Sequence, residues 1–208
     1  MFQLNRHESE FLVELAKKAV AEYLESGRVV NTPKGTPRML LRKSGVFVTL
    51  NKQQQGKVEL RGCIGYPTPS TQLAQAVIEC AISSATQDFR FAPLTSQELE
   101  NTLFEVSVLT PPTLINAPNP KHIPSEIKVG KDGLIIERGM NKGLLLPQVP
   151  AKYNWDEEEF LCQCCLKAGL SPDTWLMKGT KVYKFSCIII KEDEPNGSVT
   201  ITDMRAEP

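Results

Sequence analysis

Leu60-Arg61-Gly62-Cys63-Ile64-Gly65-Tyr66-Pro67 carries the apolar residues of a β-strand, but it also holds two glycines, an arginine and a cysteine. Glycine inside a strand marks a bulge or the close approach of another backbone. Under regular alternation Leu60, Gly62 and Ile64 share one face, while Arg61, Cys63 and Gly65 share the other. A guanidinium beside a thiol favours the thiolate, and Gly65 leaves room next to both, so a functional site is expected here. The competing reading makes Cys63 a small buried hydrophobe, with the glycines serving a tight turn.

The neighbouring segments give this strand its setting. Val46-Phe47-Val48-Thr49-Leu50 reads as a strand, the polar run Lys52 to Gly56 as a turn, and Val58 to Ile64 as the returning hairpin partner. Pro67 and Pro69 stop it, and Ser70 or Thr71 is expected to cap a helix reaching about Gln87, with Leu73, Val77, Cys80, Ala81 and Ser84 on one stripe. Asp88-Phe89-Arg90-Phe91 follows; Thr95 and Glu98 form a capping box for a short helix, and Leu103 to Leu109 is a strand ended by Pro111-Pro112. Upstream, Asn5 and Glu8 fit a capping box for a helix that Gly27 ends, with Phe11, Leu15, Ala19 and Tyr23 recurring every four residues. A short strand is expected near Met39-Leu40-Leu41.

Downstream of a proline-bearing linker from Thr113 to Pro124, the same order of elements returns. Short strands are expected at Ile127 to Val129, Leu134 to Glu137 and Gly143 to Leu146. Asp156 to Lys167 reads as a helix stopped by Gly169, Ser171-Pro172 opens a short one, and Lys181 to Lys191 is one long strand. Asn196-Gly197 turns the chain into a last strand at Val199 to Ile201. The halves therefore each read hairpin, proline stop, long helix, short helix, strand, which predicts a duplicated α+β unit. On this alignment Cys63 stands opposite Leu145. The expected organisation is a first subdomain over about 5–112, a second repeat over about 125–192, and a hairpin and tail over 193–208.

Composition narrows the function. The 208 residues hold 24 basic and 24 acidic side chains, so no global field gathers nucleic acid or an anionic membrane. No apolar run approaches a membrane span, and the charged start of the chain is no secretory signal. Cys63, Cys80, Cys162, Cys164, Cys165 and Cys187 are not spaced as a disulfide framework and read as the reduced thiols of a cytoplasmic protein. Cys162 and Cys165 share a helical face, but a structural zinc site wants four ligands, so no metal is expected, and no glycine fingerprint of a nucleotide or dinucleotide cofactor occurs. A nucleophilic cysteine needs a base, and the two histidines, His7 and His122, read as solvated.

Several blocks together resemble the AMMECR-type domain family, named for a human chromosomal region linked to Alport syndrome, midface hypoplasia and elliptocytosis. They are the hexapeptide Leu60-Arg61-Gly62-Cys63-Ile64-Gly65, Gly45 to Leu50, Asp88-Phe89-Arg90-Phe91 with Pro93-Leu94, Val106 to Leu109, Gly143-Leu144-Leu145-Leu146-Pro147-Gln148-Val149, and Trp155 through Phe160-Leu161 to Lys167-Ala168-Gly169-Leu170. Phe89 stands where many relatives have proline, and Lys152 where many have an acid. The resemblance implies an α+β fold with two subdomains, no assigned activity, and Memo-like or radical-SAM proteins as partners. Two functions follow as expectations. The first is a module that binds a partner or a small ligand at a cleft formed by Arg61, Gly62, Cys63, Gly65, Asp88, Arg90 and Gln148. The alternative is a cleft enzyme in which Arg61 activates Cys63.

Overall fold

The computed structural model describes residues 3–54 and 56–206; Met1, Phe2, Glu207, Pro208 and Gln55, the last within the expected hairpin turn, lie outside the described residues. The chain divides into two compact units. Residues up to Leu109 with Ile188–Asp203 form the first, and Thr110–Cys187 with the segment from Met204 form the second.

In the first unit β1 (Gly45–Gln54) and β2 (Lys57–Tyr66) form an antiparallel hairpin, and β3 (Thr102–Leu109) pairs antiparallel with the other side of β1. Between β2 and β3 come α2 (Leu73–Thr86) and α3 (Ser96–Leu99). Val46, Val48 and Leu50 alternate along β1 and are fully buried, as are Leu73, Val77, Ile78, Cys80 and Ala81 of α2 in the same cluster. Each buried Val, Leu or Ile contributes about 1.5–3 kcal/mol. Helix α1 (Arg6–Ser26) adds Leu12, Ala16, Ala19 and Val20 to that cluster. Its capping box joins Asn5 to Glu8, and Gly27 ends it at φ 69°, both as the sequence predicts. Thr95 and Glu98 likewise form the expected box on α3.

The second unit repeats the plan. It contains β4 (Thr113–Leu114), the hairpin β5 (Gly133–Arg138) and β6 (Asn141–Leu145), α4 (Gln148–Tyr153), α5 (Glu157–Lys167) and β7 (Lys181–Phe185). Its strand order is β4-β7-β5-β6. The first sheet runs β2-β1-β3 and then continues through β8 (Cys187–Glu192) and β9 (Val199–Asp203). Hairpin, helix and third strand thus recur with the same neighbours. Ile136 pairs with Gly143 as Leu50 pairs with Gly62, so Cys63 corresponds to Leu144 and not to the expected Leu145.

Several local expectations are corrected. Met39-Leu40-Leu41 belongs to a 3₁₀ turn, Arg38–Leu41, opened by Pro37. Ser70 and Thr71 do not cap α2; its N-cap is Gln72, and the Leu73 N–H is satisfied by the Arg42 carbonyl. Ile127 to Val129 is no strand, because the Lys128 N–H donates to the Asp132 carboxylate and the Lys128 carbonyl accepts from Asp132 N–H, winding a tight turn. The expected strand Lys181 to Lys191 breaks at Ser186, which exchanges hydrogen bonds with Thr110. Its two pieces, β7 and β8, belong to different sheets.

One contact fixes the helix on the hairpin. The Ser84 hydroxyl accepts from the Ile64 N–H at 2.8 Å and donates to the Val48 carbonyl at 2.7 Å, two groups on paired residues of the ladder. In the second unit the Cys164 thiol lies 3.6 Å from the carbonyls of Leu134 and Gly143, the matching place. Ser84→Ala leaves a buried donor and acceptor without partners and is expected to cost about 1–3 kcal/mol, read as a lowered denaturation midpoint at an unchanged m-value.

Candidate functional site

The hexapeptide lies on β2, an edge strand of the first sheet. Its register with β1 runs regularly from Tyr66 to Gly62, then slips: Leu50 opposes Gly62, but Asn51 opposes Leu60, which leaves Arg61 as an extra, bulged residue. The expected regular alternation is therefore wrong at the point that matters, and Leu60 does not share the face of Gly62. Gly62 is turned to α2, where an added Cβ would come 2.1 Å from the Ser84 carbonyl oxygen. The space expected beside Gly65 is filled by the Phe47 ring, 2.3 Å from where a Cβ would stand.

The bulge sends Arg61 to α3. Its Nε and one terminal nitrogen each donate at 3.2 Å to the two oxygens of Glu98, and that same nitrogen reaches the Pro93 carbonyl at 3.3 Å. Glu98 also closes the α3 capping box, and Lys52 stands 3.7 Å away. The Arg61 guanidinium, the largest cause, and the Thr95 donors hold the Glu98 carboxyl down at about 2 against the opposing effect of burial. The Arg61 Nη1 is buried with no partner among the described residues.

Cys63 points elsewhere. Its sulfur accepts from the Thr49 hydroxyl at 3.1 Å, with Thr49 directly across the ladder. Burial pushes the thiol up from its ordinary value; Thr49 and Arg90 pull it down less strongly, and Glu105 and Asp88 add to the rise. Arg61 is engaged by Glu98, so the expected activation of Cys63 by Arg61 is corrected: the thiol is stabilised in its protonated form. Iodoacetamide at pH 7 is accordingly expected to label Cys63 in the folded protein more slowly than an unstructured cysteine peptide, as peptide mapping would measure. Rapid stoichiometric labelling would instead reveal an activated nucleophile.

The Asp88–Phe91 turn, which follows α2, ties the strand edge to its surroundings. Asp88 is buried and accepts from the Cys63 backbone N–H at 2.8 Å, from the Arg90 N–H at 3.2 Å, and from the Arg90 guanidinium at 2.9 and 2.6 Å. The Arg90 bonds are the main reason its carboxyl falls to about 2. Asp88 thus pairs with Arg90. The Phe91 ring has the guanidinium carbons of Arg61 and Arg90 5.9 and 5.3 Å from its centroid, within cation–π range. Phe89, at the apex, is 95% exposed.

Arg61, Gly62, Cys63, Gly65, Asp88 and Arg90 therefore all lie in the first unit, on β2 and the turn braced against it. Gln148 belongs to the second unit, where it opens α4. Sequence reasoning missed Thr49, Ser84, Phe89 and the second role of Glu98. Only the Ser84 position on the apolar stripe of α2 signalled a buried hydroxyl in need of partners. His7 and His122 are both exposed. The six cysteines are free thiols, and no group of three or more His, Cys, Asp or Glu able to hold a metal ion occurs among the described residues.

Fold and site together define a tandem α+β protein whose first hairpin carries a bulged Arg-Gly-Cys edge strand. The AMMECR1 family model matches residues 13–190, and the chain belongs to that family. It is 52% identical over 200 residues to a protein of Thermococcus onnurineus, covering 96% of this chain and 97% of that one. It is 48% identical over 206 residues to protein MK0488 of Methanopyrus kandleri, covering 99% and 98%. The crystal structure of the uncharacterised protein PH0010 of Pyrococcus horikoshii superposes with a TM-score of 0.92 at 51% identity, covering 96% of this chain and 98% of that one. No helix among the described residues is long and apolar enough to cross a membrane.

Proposed function

We propose that the chain is a binding module rather than a thiol enzyme, and that its recognition surface is β2 with the Asp88–Phe91 turn. The observation that carries this reading is Phe89. A turn held by four hydrogen bonds onto one buried carboxylate exposes a large aromatic almost completely. Such a side chain loses little conformational entropy when it enters a partner's pocket, and aromatic and arginine side chains dominate recognition energetics. The partly exposed guanidinium of Arg90 flanks the same turn and suits a partner with a carboxylate beside an apolar pocket. Cys63 takes a structural part, its backbone N–H held by Asp88 and its sulfur by Thr49. The six free thiols fit a reducing, cytoplasmic setting.

The partners that the family resemblance implies, Memo-like and radical-SAM proteins, are the first to test. Titration of a purified Memo-like protein is expected to show binding that Phe89→Ala weakens about tenfold or more, a hot-spot effect. Cys63→Ser should leave it nearly unchanged. Melting temperatures of the variants separate lost contacts from lost fold. Binding destroyed by Cys63→Ser but indifferent to Phe89→Ala would refute the assignment.

A further inference from the structure

The second unit contains a groove that none of the motif residues touches. It has a volume of about 560 Å³ and lies between residues 114–123 and 175–182. That size is within the range of small-molecule sites. Leu114, Ile123, Trp175 and Met177 give its walls apolar surface beside the polar groups of Asn116, Lys178, Thr180 and Lys181, and Pro118 and Pro120 remove two backbone donors from one side. Leu114 and Met177 are exposed large apolar side chains.

The charges of this groove are one-sided. Lys178 and Lys181 are the charged side chains in its lining, and no carboxylate lines it. Glu137, which faces Lys181 across the β5–β7 ladder, is already held by Lys142 at 2.5 Å. The Thr180 hydroxyl is also committed, donating to the Thr174 carbonyl and accepting from Arg138. The buried Trp175 has an indole N–H with no acceptor among the described residues. Apolar side chains beside two exposed ammonium groups are complementary to an amphipathic anion. Because the chain's net charge is zero, this preference is local and not part of a general basic surface.

We propose that this groove is a binding site for a small apolar organic anion, such as a fatty carboxylate, with its chain on Leu114, Trp175 and Met177 and its head group at Lys178 and Lys181. The test is calorimetric titration of the full chain with sodium decanoate below its micelle concentration, beside decyltrimethylammonium, which has a similar chain and the opposite charge. Saturable binding of one equivalent of decanoate is expected, with the cation at least about tenfold weaker. The double variant Lys178→Glu/Lys181→Glu should weaken decanoate about tenfold or more, the scale of two ion pairs lost and made repulsive. Both lysines are exposed, so unchanged melting is expected. Phe89→Ala should not alter decanoate binding, which keeps this site independent of the proposed recognition turn. Absence of saturable uptake, equal affinity for the cation, or undiminished decanoate binding by the folded double variant would overturn the proposal.

Discussion

Gly62→Ala is expected to destabilise the protein by more than about 3 kcal/mol, enough to lose most soluble, folded material. The added methyl would stand 2.1 Å from the Ser84 carbonyl oxygen and 3.0 Å from its carbon. Overpacking of a core costs about 1–3 kcal/mol when side chains can repack. Here the obstacle is helix backbone, so no trimmed side chain makes room, and moving α2 away also breaks the Ser84 bridge between Ile64 and Val48. Gly143→Ala meets a comparable obstacle in the second unit, with the Ala168 nitrogen at 2.5 Å and the Cys164 oxygen at 2.7 Å. Gly35→Ala is the control: nothing lies within 4 Å of its Cβ position, so its effect should stay within about 0.5 kcal/mol. Yield, circular dichroism and thermal melting of the three variants make the comparison. A Gly62→Ala protein as stable as Gly35→Ala would show that helix and hairpin do not pack as described.

Asp88→Asn is expected to cost about 2–4 kcal/mol at pH 7, because a buried carboxylate that accepts four hydrogen bonds becomes neutral while Arg90 keeps its charge. That corresponds to a fall in Tm of roughly 4–16 °C for a chain of this size. The pH dependence gives a second readout. Asp88 and Glu98 have folded-state values lowered to about 2, below the roughly 4 of an unfolded carboxylate. Their contribution is complete above the unfolded value and is lost as pH falls from about 5 towards 2. Asp88→Asn should flatten the stability profile in that interval and leave a remaining slope due in part to Glu98. A variant whose acid limb matches the wild type would remove Asp88 from the bracing of the turn.

What could be read from sequence follows the range of the interactions concerned. The capping boxes at Asn5–Glu8 and Thr95–Glu98 were legible because each is complete within four residues. The hairpin and the buried stripe of α2 were legible through periodicity, and the order of elements exposed the repeat. The bulge at Arg61 was not, since it depends on where β1 pairs, and with it went the expected face shared by Arg61 and Cys63. Glu98 was read only as a cap because Arg61 is 37 residues away in the chain. Helix α4 was hidden by Pro150, which a first helical turn tolerates because its N–H has no intrahelical partner. Nothing punctuates Lys181 to Glu192, where Ser186 alone separates β7 from β8. The Asp88–Arg90 pair was foreseeable as chemistry at a helix end. The exposure of Phe89 was not, being a property of the folded turn.

The break at Ser186 has a consequence for how the protein is made. Strands β8 and β9 complete the first sheet, yet they follow the whole second unit in the chain. During synthesis, β3 leaves the ribosome with one edge paired to β1 and the other bare for the time needed to add residues 110 to 187, roughly 4–16 s at ordinary elongation rates. Over that interval the Phe104 N–H lacks its eventual acceptor, the Glu192 carboxylate, which also anchors Lys17 of α1 at 2.6 Å. A nascent chain therefore carries an open strand edge, a template for wrong pairing with other chains. Ribosome-bound chaperones have their longest opportunity there, and a gene fragment ending at Leu109 would keep that edge open permanently.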